Sequence, residues 1–550
     1  MERLIPKLFT CMKTYSKEQL VKDIIAGIIV AIIALPLSIA LALASGVAPE
    51  QGIYTAITAG FIISFLGGSR VQIAGPTAAF ATIVATIAAK NGMDGLIVAT
   101  IMAGIILMIM GFLRLGSLIR FIPYTITTGF TAGIAVTIFI GQIKDFLGLD
   151  YSNLGGKSLI ETVEKFEAVL THINTVNVWA LAVGILCLVI LIVWQFVPSF
   201  LAKIPPSLIA VIVSIAVVKG FDLPVNTIGD LYTISDKLPA ISIPHVDFQM
   251  INNLLPDAFT IAILAAIESL LSCVVADSMI NGRHRSNMEL IAQGAGNIAS
   301  ALFGGIPATG AIARTAANVK NGGRTPIAGM VHAVVLLLIL VVLMPYAALI
   351  PMPAIAAILF MVAYNMCGWR EFVYLCKTSP KSDIIVLVVT FILTVLFDLV
   401  VAIEIGMVMA AILFMKRMSE VTVVHGWKYA DDDDDPDSIT LRDVPKNTLV
   451  YEISGPMFFG AADKLMQIGV KDTTNCLILR MRSVNAIDAT AMRNLEKLYD
   501  ICTKKNVTLV LSHVNEQPMS IMEKAGFDKK IGKENFCAHI DEALARAAEL

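Results

Sequence analysis

The feature that most constrains this chain is a succession of apolar stretches that runs from Ile24 to about Met415, separated by short polar or Gly/Pro-rich breaks. A helix needs about 20 apolar residues to cross the core of a bilayer. Hydrophobic residues make up 57% of the 550 residues and charged residues only 15%. Soluble chains are close to half apolar and a quarter charged. The surplus is too large for one buried core, so the bilayer must be the solvent for most of the chain.

The apolar stretches predict a polytopic α-helical membrane protein of about fourteen spans. The predicted spans are 24–44, 50–66, 76–89, 95–113, 121–141, 178–196, 205–219, 257–279, 289–304, 309–319, 327–345, 352–366, 382–397 and 400–415. The shortest, 76–89 and 309–319, fall well below the length that crosses a bilayer.

Lysine and arginine placement predicts the orientation, because cytoplasmic loops carry the excess of these residues. Basic residues cluster in the N-terminal segment 1–23, whereas the segment 143–177 is acidic. The other basic breaks contain Arg114, Arg120, Lys203, Arg283, Arg285, Lys320, Arg324, Arg370, Lys377 and Lys381. An even number of spans with both termini in the cytoplasm satisfies this pattern.

Each of the two shortest spans follows a Gly/Pro break, in residues 73–78 and 304–310. Such a break frees backbone N–H groups, which are tolerated at membrane depth only where they face protein or water. A helix that starts there points its partially positive N-terminus into the membrane. A matched pair of such starts indicates a transporter site between two inverted repeats, and it would favour an anion. Thr77 and Thr309 would add hydroxyl donors; the alternative is that Pro76 and Pro307 only begin ordinary helices.

Arg314 and Glu268 are charges within predicted spans. A charge at membrane depth is costly and usually faces a partner or a cavity. Arg314 could attract the anion, pair with a carboxylate or extend to the interface. Glu268 could take up and release a proton as a coupling site, with Ser272 one turn further on the same face. The alternative for Glu268 is a structural ion pair with Arg314.

After Arg417 the composition changes to that of a linker, 417–447, followed by a small α/β domain, 448–550. The run Asp431–Asp435 is interpreted as solvated linker, because contiguous aspartates lack the spacing of a calcium loop. Strands are predicted at 449–453, 476–481 and 508–512, and helices at 461–468, 489–504 and 517–524, with a last helix from His539. Thr490 could accept a phosphate, although N-capping by Asp488 explains the same pattern.

Enzymatic function is not expected. The eight cysteines are scattered as isolated thiols, without zinc-site spacing. The sequence shows no metal cluster, nucleotide-binding loop or nucleophile triad, and no basic run for nucleic acid. We therefore predict no cofactor and no metal.

Several motifs resemble those of the SulP family of anion transporters, whose members end in a STAS domain. They are 23–27 followed by Leu35-Pro36, 75–78, Gly304-Gly305, 313–315, 394–398 and 455–459. The resemblance implies a seven-plus-seven inverted repeat, a mobile core that moves against a gate, and a homodimer. It also implies an anion site between two half-helices that begin at Thr77 and Thr309. Thr77, Ala78, Thr309, Gly310 and Ala311 would then hold the anion through N–H and hydroxyl groups, with Arg314 beside them.

Within the family, residues 141–149 and 266–271 are most similar to bacterial C4-dicarboxylate members. Sodium-coupled bicarbonate members carry Asp where Glu268 stands and Thr where Ser272 stands, which favours protons over sodium here. Phosphorylated STAS domains have loops like Asp-Ser-Ser-Gly, whereas this chain has Asp488-Ala489-Thr490-Ala491.

These observations predict a transporter in a bacterial inner membrane that takes up succinate, fumarate or aspartate with protons. The same fold could instead move sulfate or bicarbonate, since the predicted site consists of backbone and small residues. Two further alternatives are an anion-responsive sensor that acts through the STAS domain on a cytoplasmic protein partner, and a channel.

Overall fold

The computed structural model describes residues 4–117, 123–152, 159, 161–196, 204–232, 238–241, 244, 247–397, 399–426, 443–470 and 473–550. The chain forms two compact units, Met1–Met407 and Val408–Leu550. The predicted linker residues Asp431–Asp435 lie outside the described residues, as do the predicted basic-break residues Arg120 and Lys203.

The first unit is almost entirely helical. Its first half contains α1 (Lys7–Cys11), α2 (Lys17–Ala44), α3 (Pro49–Leu66), α4 (Ala81–Phe112), α5 (Tyr124–Leu147), α6 (Thr162–Thr171), α7 (Val178–Val193), α8 (Pro206–Gly220) and α9 (Ile228–Leu231). Its second half contains α10 (Phe248–Ile280), α11 (Ser286–Leu302), α12 (Ile312–Lys320), α13 (Ile327–Ala347), α14 (Met352–Cys367), α15 (Trp369–Thr378), α16 (Lys381–Leu396) and α17 (Leu399–Val421), the last of which continues into the second unit. Two short strands are β1 (Ala74–Gly75) and β2 (Thr309–Gly310).

Every predicted span coincides with a helix, which confirms the polytopic helical fold of about fourteen spans. Within the described residues, six helical stretches are long and apolar enough to cross a membrane by themselves: Lys17–Ala44, Ala78–Phe112, Tyr124–Leu147, Phe248–Ile280, Ile327–Ala347 and Met352–Thr378. The stretch Ala78–Phe112 contains two predicted spans, because Gly92 has a φ of +66° and interrupts the helix between them. Several helices begin earlier than hydropathy predicts; α2 starts at Lys17, where the Ser16 hydroxyl accepts the N–H of Gln19.

One order of elements occurs twice in this unit. Two helices, a two-residue strand and a short helix follow one another as α2, α3, β1 and residues 78–91, and again as α10, α11, β2 and α12. The two strands, one from each half, pair antiparallel, and the repeated order of elements is that of an inverted repeat.

The helices of the first unit pack in two groups. In one group, α11 packs against α3 and α4, and α13 packs against α2 and α3. In the other, α14 and α16 pack against α5, and α7 packs against α8 and α14. The first group contains both short helices and corresponds to the predicted core, and the second corresponds to the predicted gate.

The second unit contains a five-stranded sheet with strand order β3-β4-β5-β6-β7. Its strands are β3 (Val423–Gly426), β4 (Thr448–Ser454), β5 (Cys476–Ser483), β6 (Thr508–Ser512) and β7 (Phe536–Cys537), and its helices are α18 (Phe459–Ala462), α19 (Ala489–Lys504), α20 (Glu516–Lys524), α21 (Phe527–Ile531) and α22 (Ile540–Ala548). Strand β3 pairs antiparallel with β4, and the other pairs are parallel.

The small mixed α/β domain is confirmed, but the linker begins later than predicted. Residues 417–421 continue α17, and β3 adds an edge strand to the sheet. Sequence periodicity missed β3, β7 and α21 because each is too short to show a repeat. Alternate residues of β5 face opposite sides of the sheet: Leu477 and Leu479 pack in one apolar cluster, and Cys476 and Ile478 pack in another beside α22.

Candidate functional site

The segments that contain the two Gly/Pro breaks lie side by side, because β1 pairs antiparallel with β2. This pair of strands is the strand crossing. Ala74 pairs with Gly310, and Gly75 pairs with Thr309. The N–H of Ala311 donates to the carbonyl of Ile73 at 2.8 Å, extending the pairing beyond the strands. The residues that begin the two short helices are therefore brought together, although they are far apart in the sequence.

Buried polar side chains satisfy the irregular backbone around this crossing. The carboxylate of Glu289 accepts the N–H groups of Gly68 and Ser69, at 2.8 and 3.1 Å. The Asn297 amide bonds both the N–H and the carbonyl of Ala308, at 2.8 and 2.9 Å. Non-helical backbone at membrane depth needs such protein partners. Glu289 and Asn297 were not predicted as functional residues, although polar residues inside the predicted span 289–304 were a usable signal.

Thr77 precedes the first short helix and contacts Glu268. It is the N-cap residue of the 3₁₀ turn Ala78–Phe80, which leads into α4. Its hydroxyl does not cap the helix but donates to Oε2 of Glu268 at 3.0 Å. Thr77, which precedes the first half-helix, therefore holds the carboxylate of Glu268 on α10.

The second short helix begins later than predicted, at Ile312 with Ala311 as its N-cap. Thr309 belongs to β2 instead and is fully buried, with its hydroxyl 2.6 Å from Ser269 Oγ and donating to the carbonyl of Ala265 at 3.1 Å. The prediction that the half-helix begins at Thr309 is therefore wrong, because strand pairing removes this residue from the helix. Ser269 was not predicted as a site residue, although the predicted residues Glu268 and Ser272 lie on either side of it in α10.

The pairing also uses two amides that were predicted to hold the anion. The N–H of Gly310 donates to Ser269 Oγ at 3.1 Å, and the N–H of Ala311 is bound to Ile73. The first N–H groups of a helix have no partner within the helix. The donors that α12 can offer a ligand are therefore those of residues 312–314, one turn beyond the predicted position.

Arg314 is almost fully buried at the start of α12, with 2% of its surface exposed. Its Nη2 donates to the carbonyl of Pro76 at 3.2 Å, whereas Nη1 has no hydrogen-bond partner in the described part of the chain. A Cβ at Gly75 would lie 2.5 Å from Nη1, so a side chain there would displace the guanidinium from its present position. Arg314 thus contacts the first break and neither pairs with Glu268 nor extends to the interface.

A cavity of about 920 Å³ lies at the starts of both short helices. Its lining includes Thr77, Ala78, Glu268, Gly310, Ala311 and Arg314, and it continues past Ile312 to Lys320 and Asn321 at the other end of α12. Six of the eight predicted site residues therefore share one cavity. Thr309 and Ser272 are the exceptions among them; both are buried, and the Ser272 hydroxyl faces Thr315 Oγ1 at 3.4 Å.

The electrostatics of this cavity combine two opposite tendencies. Two helix N-termini and a buried guanidinium favour an anion. The carboxyl of Glu268 opposes an anion when it is ionised and permits one when it is protonated. The arrangement can therefore bind an anion and a proton together.

Known proteins resemble the whole chain. The model of the sulfate permease family matches residues 20–390, and the model of the STAS domain matches residues 440–543. The protein named "Putative sulfate transporter YvdB" of Bacillus subtilis is 40% identical over 542 residues, covering 96% of this chain and 98% of its own. The bicarbonate transporter BicA of Picosynechococcus is 31% identical over 545 residues, covering 96% of this chain and 94% of its own.

The structure of SLC26A9 has the same fold. It matches with a TM-score of 0.88 at 18% identity, covering 99% of this chain and 93% of that one. The family match and the identity to full-length relatives lead to one conclusion: this chain belongs to the sulfate permease family and ends in a STAS domain.

Proposed function

We propose that this protein is a secondary transporter that moves a small oxyanion, sulfate or bicarbonate, across the bacterial inner membrane together with a proton. The observation that carries the proposal is the strand crossing, which brings two helix N-termini, Arg314 and Glu268 to one cavity. The resemblance to transporters of the same family supports it.

The anion would bind at the start of α12. The N–H groups of residues 312–314 are free of intrahelical partners, and Nη1 of Arg314 has no hydrogen-bond partner among the described residues. An arginine binds an oxyanion through two parallel N–H donors. The first break contributes the N-terminus of the helix that Ala78 begins.

Glu268 would couple the anion to a proton. An ionised carboxylate in the same cavity repels an anion, so protonation of Glu268 and anion binding favour each other by linkage. The Thr77 hydroxyl holds the Glu268 carboxyl at the start of the first half-helix. A movement of this carboxyl would therefore change the anion site at that helix start.

The names of the relatives favour sulfate or bicarbonate over the C4-dicarboxylate that the sequence analysis predicts. One relative is named for sulfate and another for bicarbonate. Glu268 occupies the position where sodium-coupled bicarbonate members carry Asp, which supports protons rather than sodium as the coupling ion.

Orientation and assembly belong to the same proposal. The basic breaks predict that both termini and the Lys320 end of the cavity face the cytoplasm, so this conformation would be open inward. Alternating access would then require the core group of helices to move against the gate group, and the family resemblance implies a homodimer.

The test is uptake by proteoliposomes containing the full-length protein. Labelled sulfate, bicarbonate and fumarate are offered with an imposed inward proton gradient, with an inward sodium gradient and with neither. We expect sulfate or bicarbonate uptake to rise with the proton gradient alone. In Glu268→Gln this response should be lost, because the neutral amide cannot exchange a proton.

Glu404→Gln is the matched control, since it makes the same chemical change at an exposed glutamate of α17 that does not line the cavity. It should transport like the wild type. Uptake that ignores the proton gradient, or a Glu268→Gln variant that still responds to it, would refute the coupling. Preference for fumarate would restore the dicarboxylate prediction, absence of net flux would favour the sensor, and large currents would favour a channel.

A further inference from the structure

A second cationic site lies outside the transport cavity, where the N-terminal segment meets the turn after α3. The main-chain N–H of Lys7 donates to the carbonyl of Gly67 at 2.9 Å. The N–H of Arg285 donates to the carbonyl of Gly68, also at 2.9 Å. The N-terminal segment, the turn after α3 and the turn before α11 are therefore hydrogen-bonded to one another, although they are distant in the sequence.

Arg285 holds the N-terminal segment in place. Its Nη1 donates to the carbonyl of Ile5 at 2.5 Å, and its Nη2 donates to Thr10 Oγ1 at 3.2 Å. The turn that carries Arg70 is equally fixed, because Glu289 accepts the N–H groups of Gly68 and Ser69. The side chains of this site thus project from backbone that hydrogen bonds hold in place.

Three cations, Lys7, Arg70 and Arg285, lie near one another here, with Asp277 as a neighbouring carboxylate. Burial lowers the pKa of the Lys7 ammonium most, and the positive charges of Arg285 and Arg70 lower it further, whereas Asp277 and Cys11 act in the opposite direction. The described part of the chain shows no hydrogen bond or ion pair from the Lys7 ammonium or the Arg70 guanidinium. The neighbouring carboxylates are already engaged: Asp277 pairs with His284 at 2.7 Å, and Glu289 binds backbone amides.

Exposed apolar side chains flank these cations. Phe9 is 53% exposed and Met12 is 50% exposed. Phe9 also packs edge-to-face against Phe65 at the end of α3, with ring centroids 6.3 Å apart. Unpaired cations beside exposed aromatic and aliphatic groups match the two parts of a lipid, its charged headgroup and its acyl chains.

We propose that Lys7 and Arg70 bind the phosphate headgroup of an anionic phospholipid whose acyl chains lie against Phe9 and Met12. The bound lipid ties the N-terminal segment to the turn after α3. Because that turn leads directly into β1, the lipid stabilises the backbone that carries the strand crossing. The site is independent of the transported anion.

The test titrates the detergent-purified full-length protein with short-chain phosphatidylglycerol and follows its thermal unfolding. Phosphatidylcholine of the same chain length and inorganic phosphate are the parallel probes. We expect phosphatidylglycerol alone to raise the unfolding temperature. A membrane-surface cation contributes about 1 kcal/mol to the attraction of an anionic lipid. The double variant Lys7→Ala/Arg70→Ala should therefore bind phosphatidylglycerol about thirtyfold more weakly.

Lys90→Ala/Lys219→Ala is the matched control, since it removes two exposed lysines elsewhere and should leave the lipid response unchanged. Arg285 is left intact because its hydrogen bonds hold the N-terminal segment. An equal response to phosphatidylcholine, an equal response to inorganic phosphate, or an undiminished response in the double variant would overturn the proposal.

Discussion

At the scale of single residues, Arg314 carries the most specific chemistry of the site. It is buried, it contacts Pro76 across the strand crossing, and one of its nitrogens has no hydrogen-bond partner in the described part of the chain. Arg314 could be identified from the sequence because a charge inside an apolar stretch stands out. The sequence alone could not exclude a pair with Glu268, since the distance between two charges on different helices depends on packing.

Replacing Arg314 by lysine should weaken anion binding about tenfold to a hundredfold. Lysine keeps the charge but loses the planar pair of donors, and a hydrogen bond to a charged group is worth about 1.5–3 kcal/mol. The measurement is the affinity for sulfate, obtained by calorimetry on the purified protein. Arg370→Lys, at an exposed arginine outside the cavity, should bind like the wild type. Equal affinity in both variants would show that Arg314 does not contact the anion.

Replacing Glu289 by glutamine should lower the free energy of unfolding by about 2–6 kcal/mol. The carboxylate accepts hydrogen bonds from two backbone amides and from the Gln72 and Gln293 side chains, whereas a glutamine turns one acceptor into a donor. Each unsatisfied buried group costs about 1–3 kcal/mol. Thermal unfolding in detergent measures the loss. Glu496→Gln, in the STAS domain, is the control, and an unchanged unfolding temperature for Glu289→Gln would contradict the structural role.

At the scale of elements, the helices could be predicted and the crossing of the strands could not. Hydropathy located every span because the lipid requirement is local to each segment. The pairing of Gly75 with Thr309 is a contact between distant parts of the chain, and two residues are too short to show a strand period. For this reason Thr309 was expected at a helix start, whereas it lies in a buried strand.

Gly310 should not tolerate a side chain. A Cβ at this position would collide with the side chain of Gln72, which itself bonds Glu289. Gly310→Ala should therefore destabilise the protein by about 1–3 kcal/mol through overpacking, and thermal unfolding measures this. Gly469→Ala meets no atom within 4 Å and should be neutral. A Gly310→Ala variant as stable as the wild type would show that the crossing can relax.

At the scale of the whole molecule, the α/β pattern of the tail predicted a small sheet domain, but not how α17 joins it. Within the second unit, Lys464 Nζ donates to the carbonyls of Ser419 and Thr422, at 2.9 and 2.5 Å. These carbonyls belong to the end of α17 and to the residue after it. A cation that binds the last carbonyls of a helix stabilises that end.

Lys464→Met should loosen the end of α17 while it keeps most of the aliphatic stem. We expect faster amide hydrogen exchange in residues 419–426 and unchanged exchange in β1 and β2. Lys497→Met, on α19, is the control for the loss of one charge. Equal protection of residues 419–426 in the wild type and in Lys464→Met would show that the lysine does not support this junction.

We propose that an anion binds at the two helix starts that the pairing of β1 and β2 brings together. The most direct measurement is a crystal structure with selenate, a sulfate analogue whose selenium is located by anomalous scattering. We expect a selenium peak in the cavity, within about 4 Å of Nη1 of Arg314 and of the N–H groups of residues 312–314. A peak elsewhere in the protein, with this cavity free of selenate, would contradict it.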